Sequence, residues 1–185
     1  MIIIEGADCT GKSTLAAQLW SHPRLQEYGM EIQHLSRLPT GHDRCWHYIN
    51  RMNRNGIFDR FHYSELAYAE ARGDTEVLLT PLKMTLVEKM LEAVCPYRIL
   101  LLMGSYDHMV ARWNKDEMYD RVTVWRANEA FRKMRHTRKW DYVHCSALAN
   151  HFPTVTDIEH IVASYVSRRT AWQAKITEAT SANAS

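Results

Sequence analysis

The stretch Gly6-Ala7-Asp8-Cys9-Thr10-Gly11-Lys12-Ser13 constrains this chain more than any other, because it satisfies G-x-x-x-x-G-K-[ST] at every position. Its flanks carry the second half of the argument. Met1-Ile2-Ile3-Ile4-Glu5 is a β-branched run ending in glycine, which reads as a buried parallel strand. Lys12 to Trp20 sets Leu15, Ala16 and Leu19 on one helical face, and Ser21-His22-Pro23 ends that helix. In a strand–glycine turn–helix unit the backbone N–H groups curl inward around a phosphate, and the helix N-terminus adds partial positive charge. Lys12 is then placed to neutralise β- and γ-oxygens of ATP, and the Ser13 hydroxyl to ligate Mg²⁺. Gly6, Asp8, Cys9, Thr10, Gly11 and Thr14 complete the ATP-binding set. Cys9 reads as a small side chain whose backbone N–H matters, not as a reactive thiol.

The rest of the chain repeats the alternation of strand and helix. Strands are expected at Glu31 to Leu35, Gly56 to Asp59, Tyr97 to Met103 and Trp140 to Cys145. Helices are expected at Asp43 to Met52, at Ser64 to Ala71 and after the Thr80-Pro81 start, where Leu82, Leu86, Met90 and Ala93 form an apolar stripe. A further helix carries Val124, Ala127, Phe131 and Met134. The spacing Thr156-x-x-Glu159 predicts a capping box for a C-terminal helix with Ile158, Ile161, Val162 and Tyr165, and the tail from about 178 to 185 is expected to be disordered. The pattern predicts a three-layer α/β fold over 1–185 as one P-loop domain, its parallel sheet of about five strands covered by helices on both faces.

Composition narrows the function classes. A net charge of +2 is too small to argue for a nucleic-acid protein on electrostatics. The four cysteines form no C-x-x-C pair, so reduced thiols in a cytoplasmic protein are expected. Ten histidines without H-x-x-x-H spacing argue against any metal site beyond nucleotide-bound magnesium, and no apolar run is long enough to span a bilayer.

Three further pieces fall at strand ends, where open α/β sheets bind ligands. They are Ser36-Arg37-Leu38-Pro39, Asp59-Arg60-Phe61 and the stretch from Arg112 through Lys115 to Arg121. With the phosphate loop, in this order, they resemble the thymidylate kinase family of nucleoside monophosphate kinases. Ile4 to Thr14 looks like (F/I)-E-G-x-(D/E)-x-x-G-K-(S/T)-T, and Arg37-Leu38-Pro39 like R-(E/F)-P. Asp59 to Tyr68 is similar to D-R-(Y/W/H)-x-x-S-x-x-A-Y, and Ala111 to Arg121 to an arginine-bearing lid. The resemblance implies that Arg37 and Arg60 hold an acceptor phosphate and that Asp8 approaches the sugar 3′-hydroxyl. It implies that Asp59 supports Mg²⁺ through water and that Ser64 and Tyr68 line sugar and base. Arg112, with Lys115 or Arg121, would close over the transferring phosphoryl group. The acceptor segment would run over about 37–75 and the lid over about 105–121.

The segment between Arg37-Leu38-Pro39 and Asp59-Arg60 is shorter than in that family. Trp46, Tyr48 and Arg51 are the available substitutes for its stacking aromatic and base-reading arginine. The expected reaction is ATP plus a deoxynucleoside monophosphate, dTMP or a 5-substituted dUMP, in nucleotide biosynthesis. Two rivals stay open. One is a P-loop kinase acting on a hydroxyl of a deoxynucleoside or of a modified base or end in DNA. The other is a non-enzymatic nucleic-acid module using Arg132-Lys133-Met134-Arg135-His136-Thr137-Arg138-Lys139, a run that reads first as a solvated helix end. A homodimer is also left open.

Overall fold

Ile2, Ile3 and Ile4 are buried on both sides of one strand, and that double burial organises the molecule. The computed structural model describes residues 1–35, 43–52, 55–74, 79–114, 118–137 and 154–182. The central strand β1 (Ile2–Gly6) lies between β3 (Gly56–Asp59) and β4 (Arg98–Leu102), and β2 (Glu31–His34) lies outside β3. All pairings are parallel, with Ile3 opposite Phe58 on one side and Ile99 on the other. The order β2-β3-β1-β4 reverses direction at β1, so a crevice opens beyond its C-terminal end.

The two faces of the sheet build two cores with the period of a strand. Ile2 and Ile4 point to Leu15, Ala16 and Leu19 of α1 (Lys12–Trp20) and to Ile161, Val162 and Tyr165 of the C-terminal helix α8 (Val155–Ala182). Ile3 and Phe58 point the other way. They meet α3 (Arg44–Arg51), α4 (His62–Arg72), α5 (Pro81–Val94) and α7 (Arg121–Thr137) through Tyr48, Ala67, Leu91 and Phe131. The short helices α2 (Pro23–Gln26) and α6 (Tyr106–Arg112) complete the set.

Local signals explain most boundaries. Asp43 caps α3 by accepting from the Trp46 N–H at 3.1 Å, and Thr80 caps α5 ahead of Pro81. Four details differ from the sequence expectation. Four strands lie among the described residues, and the expected fifth, Trp140 to Cys145, lies outside them. Helix α5 buries Met84, Val87 and Leu91, while Leu82 is 80% exposed and Leu86 is exposed too. Both stripes have helical spacing, and contact with α3 selects the one that packs. The capping box of α8 is Thr154-x-x-Asp157, two residues earlier than expected: the Asp157 N–H donates to Thr154 Oγ1 at 3.2 Å and the Thr154 N–H to Asp157 Oδ2 at 2.8 Å. Residues 178–182, expected in a disordered tail, continue α8. Among the described residues no helix is long and apolar enough to cross a membrane.

Candidate active site

The phosphate loop follows β1 directly and turns on two glycines. Gly6 has φ 147° and sits against the Leu102 carbonyl, where a Cβ would collide, and Gly11 has φ 91° at the N-cap of α1. Thr10 Oγ1 donates to the Ala7 carbonyl at 2.8 Å and staples the loop across itself. Lys12 Nζ donates to the same carbonyl at 2.7 Å and lies 3.7 Å from Asp8 Oδ1. No side chain caps α1. A cavity of about 380 Å³ opens in front of its first turn, lined by the loop from Asp8 to Thr14 and roofed by Arg112 of α6. Ser105 caps α6, and Asn128 of α7 clamps the preceding Gly104 from both sides, accepting from its N–H at 3.2 Å and donating to its carbonyl at 3.0 Å. Arg112 is thereby held over the loop.

Beside this cavity, Ser13 Oγ donates to Asp59 Oδ2 at 2.6 Å, and His34 Nδ1 lies 3.0 Å from the same oxygen. Asp59 Oδ1 is buried and has no hydrogen-bond partner among the described residues. A serine hydroxyl beside a carboxylate with an unsatisfied oxygen is a hard oxygen donor set of the type magnesium takes.

Arg60 follows Asp59 in the left-handed conformation, φ 75°, held by its N–H on the Ile4 carbonyl at 2.9 Å. Its guanidinium pairs with Asp8 Oδ1 and lies 5.1 Å from the Tyr68 ring centroid. The Tyr68 hydroxyl donates to Asp8 Oδ2 and accepts from the Asp8 N–H, each at 2.8 Å. Asp8 therefore joins the phosphate loop to a second cavity, of about 30 Å³, lined by Tyr48, Arg60, Phe61, Glu65, Tyr68 and Tyr119 among others. Tyr119, in the segment expected as the lid, stacks on Tyr68 with ring centroids 4.9 Å apart, and its hydroxyl accepts from Arg72 at 3.3 Å.

Below the second cavity lies Glu5, fully buried in the sheet. It accepts from the Phe61 and Tyr63 N–H groups at 3.1 and 3.0 Å and from the Ser64 hydroxyl at 2.5 Å. Burial pushes its carboxyl up to about 7, against the pull of these donors and of Lys12. The three bonds orient the start of α4 and so the Arg60 turn.

The structure brings Asp8, Lys12, Ser13, Asp59, Arg60, Ser64, Tyr68 and Arg112 to one crevice. Trp46 is 62% exposed on α3 and does not line either cavity. Arg51 bonds to His47 at 3.1 Å and to Gln33 at 3.4 Å. Arg121 lies over the Trp113 ring, 4.6 Å from its centroid. Arg37 and Lys115 lie outside the described residues. Sequence reasoning passed over Glu5, His34, Arg44, Glu65, Arg72 and Tyr119. Glu5 and Glu65 stand inside the motif stretches quoted above, and a carboxylate there was the available signal.

No protein-family model matches the sequence. It is 28% identical over 151 residues to the SPbeta prophage-derived uncharacterized protein YorR of Bacillus subtilis (strain 168), covering 76% of this chain and 88% of that protein. The crystal structure of B. subtilis YorR in complex with phosphorylated GDP is similar with TM-score 0.59 at 25% identity, over 75% of this chain and 81% of that one. A structure of deoxyadenosine kinase from M. mycoides with bound dCTP is similar with TM-score 0.52 at 16% identity, over 90% of this chain and 100% of that one. The parallel sheet, the phosphate loop after its central strand and these likenesses agree: the chain has the P-loop fold of the nucleoside kinases.

Proposed function

We propose that this chain is an ATP- and magnesium-dependent kinase of deoxynucleoside monophosphates, giving ADP and the diphosphate. The observation that carries the reading is Arg60. It is a cation at the end of β3, tied to Asp8 of the phosphate loop, and it lines the second cavity where an acceptor phosphate would face ATP. Binding of two nucleotides requires two exchanges of partner. Lys12 would trade the Ala7 carbonyl for the β- and γ-oxygens of ATP, and Arg60 would trade Asp8 for the acceptor phosphate.

An acceptor oxygen then attacks the γ-phosphorus. The new P–O bond forms as the bond to the bridging oxygen breaks, and ADP leaves carrying the charge. An acceptor phosphate is ionised near neutral pH, so no general base is needed. Magnesium, held by the Ser13 hydroxyl and through water by Asp59, would supply charge neutralisation at the β- and γ-oxygens. Arg112 sits over the loop to meet charge on the transferring group, and closure of the 105–121 segment excludes water that would hydrolyse ATP. Arg37, Lys115 and Arg121 belong to the same proposal as further cations, Trp46 and Arg51 as base-side residues. The similar protein YorR was crystallised with phosphorylated GDP, which supports nucleotide binding by a chain of this fold. The thymidylate kinase resemblance rests on phosphate-binding motifs, so it supports the monophosphate acceptor and leaves the base to the residues that line the second cavity.

The second reading is an alcohol acceptor, with Asp8 as base. Asp8 favours it by lying between the cavities and already accepting from the Tyr68 hydroxyl. ADP release, measured with each deoxynucleoside and each deoxynucleoside monophosphate, separates the two. Monophosphates should be turned over and nucleosides not; turnover of nucleosides alone sinks the proposal. Arg37→Ala should raise the acceptor KM far more than that of ATP, and an unchanged acceptor KM removes Arg37 from the phosphate site.

A further inference from the structure

The second cavity is lined by a carboxylate, Glu65, whereas the arginine to which the resemblance led, Arg51, bonds to His47 and Gln33 and is not part of that lining. Glu65, one residue after the Ser64 of the acceptor motif, lines the cavity with its side chain 14% exposed. Two donors from α3 hold it: Arg44 Nη1 at 3.3 Å and the Tyr48 hydroxyl at 3.2 Å. Both reach Oε1. Oε2 has no hydrogen-bond partner among the described residues. Arg44 is 3% exposed, so the ion pair is largely desolvated. Such a pair is costly unless well hydrogen-bonded, and an apolar wall would serve packing as well. Burial, and after it the Glu65 carboxylate itself, pushes the Tyr48 phenol well above its usual value, so its hydroxyl stays protonated and donates.

We infer that Glu65 reads the acceptor base, selecting one with a donor edge, guanine above all, and rejecting thymine. The inference rests on the monophosphate kinase reading for what the acceptor is and deepens it by naming the base. Hydrogen-bond accounting gives the ranking. An ionised carboxylate only accepts, and the two lone pairs of Oε2 remain to be filled. Guanine presents two adjacent donors, N1–H and the 2-amino group, on one edge. Adenine and cytosine present an amino group beside an acceptor. Thymine presents one N–H between two carbonyl oxygens, whose lone pairs face the carboxylate and repel it. Phe61 and the Tyr48 ring, 4.8 Å apart between centroids, supply apolar wall beside the carboxylate. Arg44 and Tyr48 act through Glu65 as positioning residues.

The test uses the unaltered protein and changes the ligand. ADP release is measured with dGMP, dIMP, dAMP, dCMP and dTMP, and with deoxyguanosine and thymidine alongside; equilibrium binding of the same set is measured by calorimetry. dGMP should lead in kcat/KM and affinity. dIMP, which lacks only the 2-amino group, should fall about tenfold, and dTMP by 100-fold or so, the scale of losing hydrogen bonds to a charged group. A series led by any other base, or dIMP equal to dGMP, overturns the assignment. Should only the nucleosides be turned over, the monophosphate reading fails while the order of deoxyguanosine and thymidine still decides the base. Glu65→Gln, which keeps the shape and replaces one acceptor by a donor, should raise the KM for dGMP tenfold or more and leave that for ATP unchanged. An unchanged KM for dGMP in a folded variant also overturns it.

Discussion

At the scale of single residues, the charged groups around the phosphate loop meet at Asp8. Asp8 accepts from Arg60 and Tyr68 with Lys12 close by, so the two cations proposed to meet phosphate oxygens are both held at one carboxylate. Removing Arg60 therefore does more than delete a contact: it leaves the Asp8 carboxylate to repel the incoming phosphate. A hydrogen bond to a charged group contributes about 1.5–3 kcal/mol. Arg60→Ala should then lower kcat/KM for the acceptor by roughly 100-fold, near the top of the range that energy allows, with the KM for ATP little changed. Steady-state kinetics with both substrates varied would check this, and an equal effect on both would move Arg60 out of the acceptor site. Arg60 was legible because Asp59-Arg60 is a local pattern at a strand end. The Arg44–Glu65 pair was not, since its partners lie 21 residues apart on α3 and α4 and nothing local links them.

At the scale of elements, helix α5 shows how far periodicity carries. Its cap and its proline are local chemistry, and both stand where the sequence puts them. Its buried face does not. Leu82 and Leu86 match a helical stripe as well as Met84, Val87 and Leu91 do, yet only the second set meets α3 and the sheet. Met84→Ala should cost about 2–5 kcal/mol by leaving a cavity, whereas Leu82→Ala should be near neutral. Urea unfolding of the two variants compares them directly, and a larger loss for Leu82→Ala would mean that this face is covered in solution. The contrast with α4 is instructive. There Ser64, Ala67, Tyr68 and Ala71 form a single continuous buried face, so one reading was available and it is the one observed.

For the whole molecule, the sheet and the site share Glu5. Its carboxyl lies wholly buried under the crevice, and its folded value of about 7 stands above the ordinary 4.5. Between those values the folded state binds more protons than the unfolded chain, so this group's contribution is full below pH 4.5 and is lost as pH rises to 7. The loss is on the order of 3 kcal/mol for a shift of this size. Glu5→Gln, with no proton to lose, should remove it. The Tm difference between the natural protein and the variant should drift against the natural protein from pH 4.5 to 7 and flatten above. A difference independent of pH would contradict the raised carboxyl. By itself the sequence determined the phosphate loop, the parallel α/β alternation and the ends of most helices. Each depends on glycine freedom, side-chain period or capping within a few residues. Tertiary structure alone decided which apolar stripe of α5 packs, and it set Arg112 over the loop. It alone set the Glu65 carboxylate beside the second cavity, because pairings across elements depend on the sheet that brings them together.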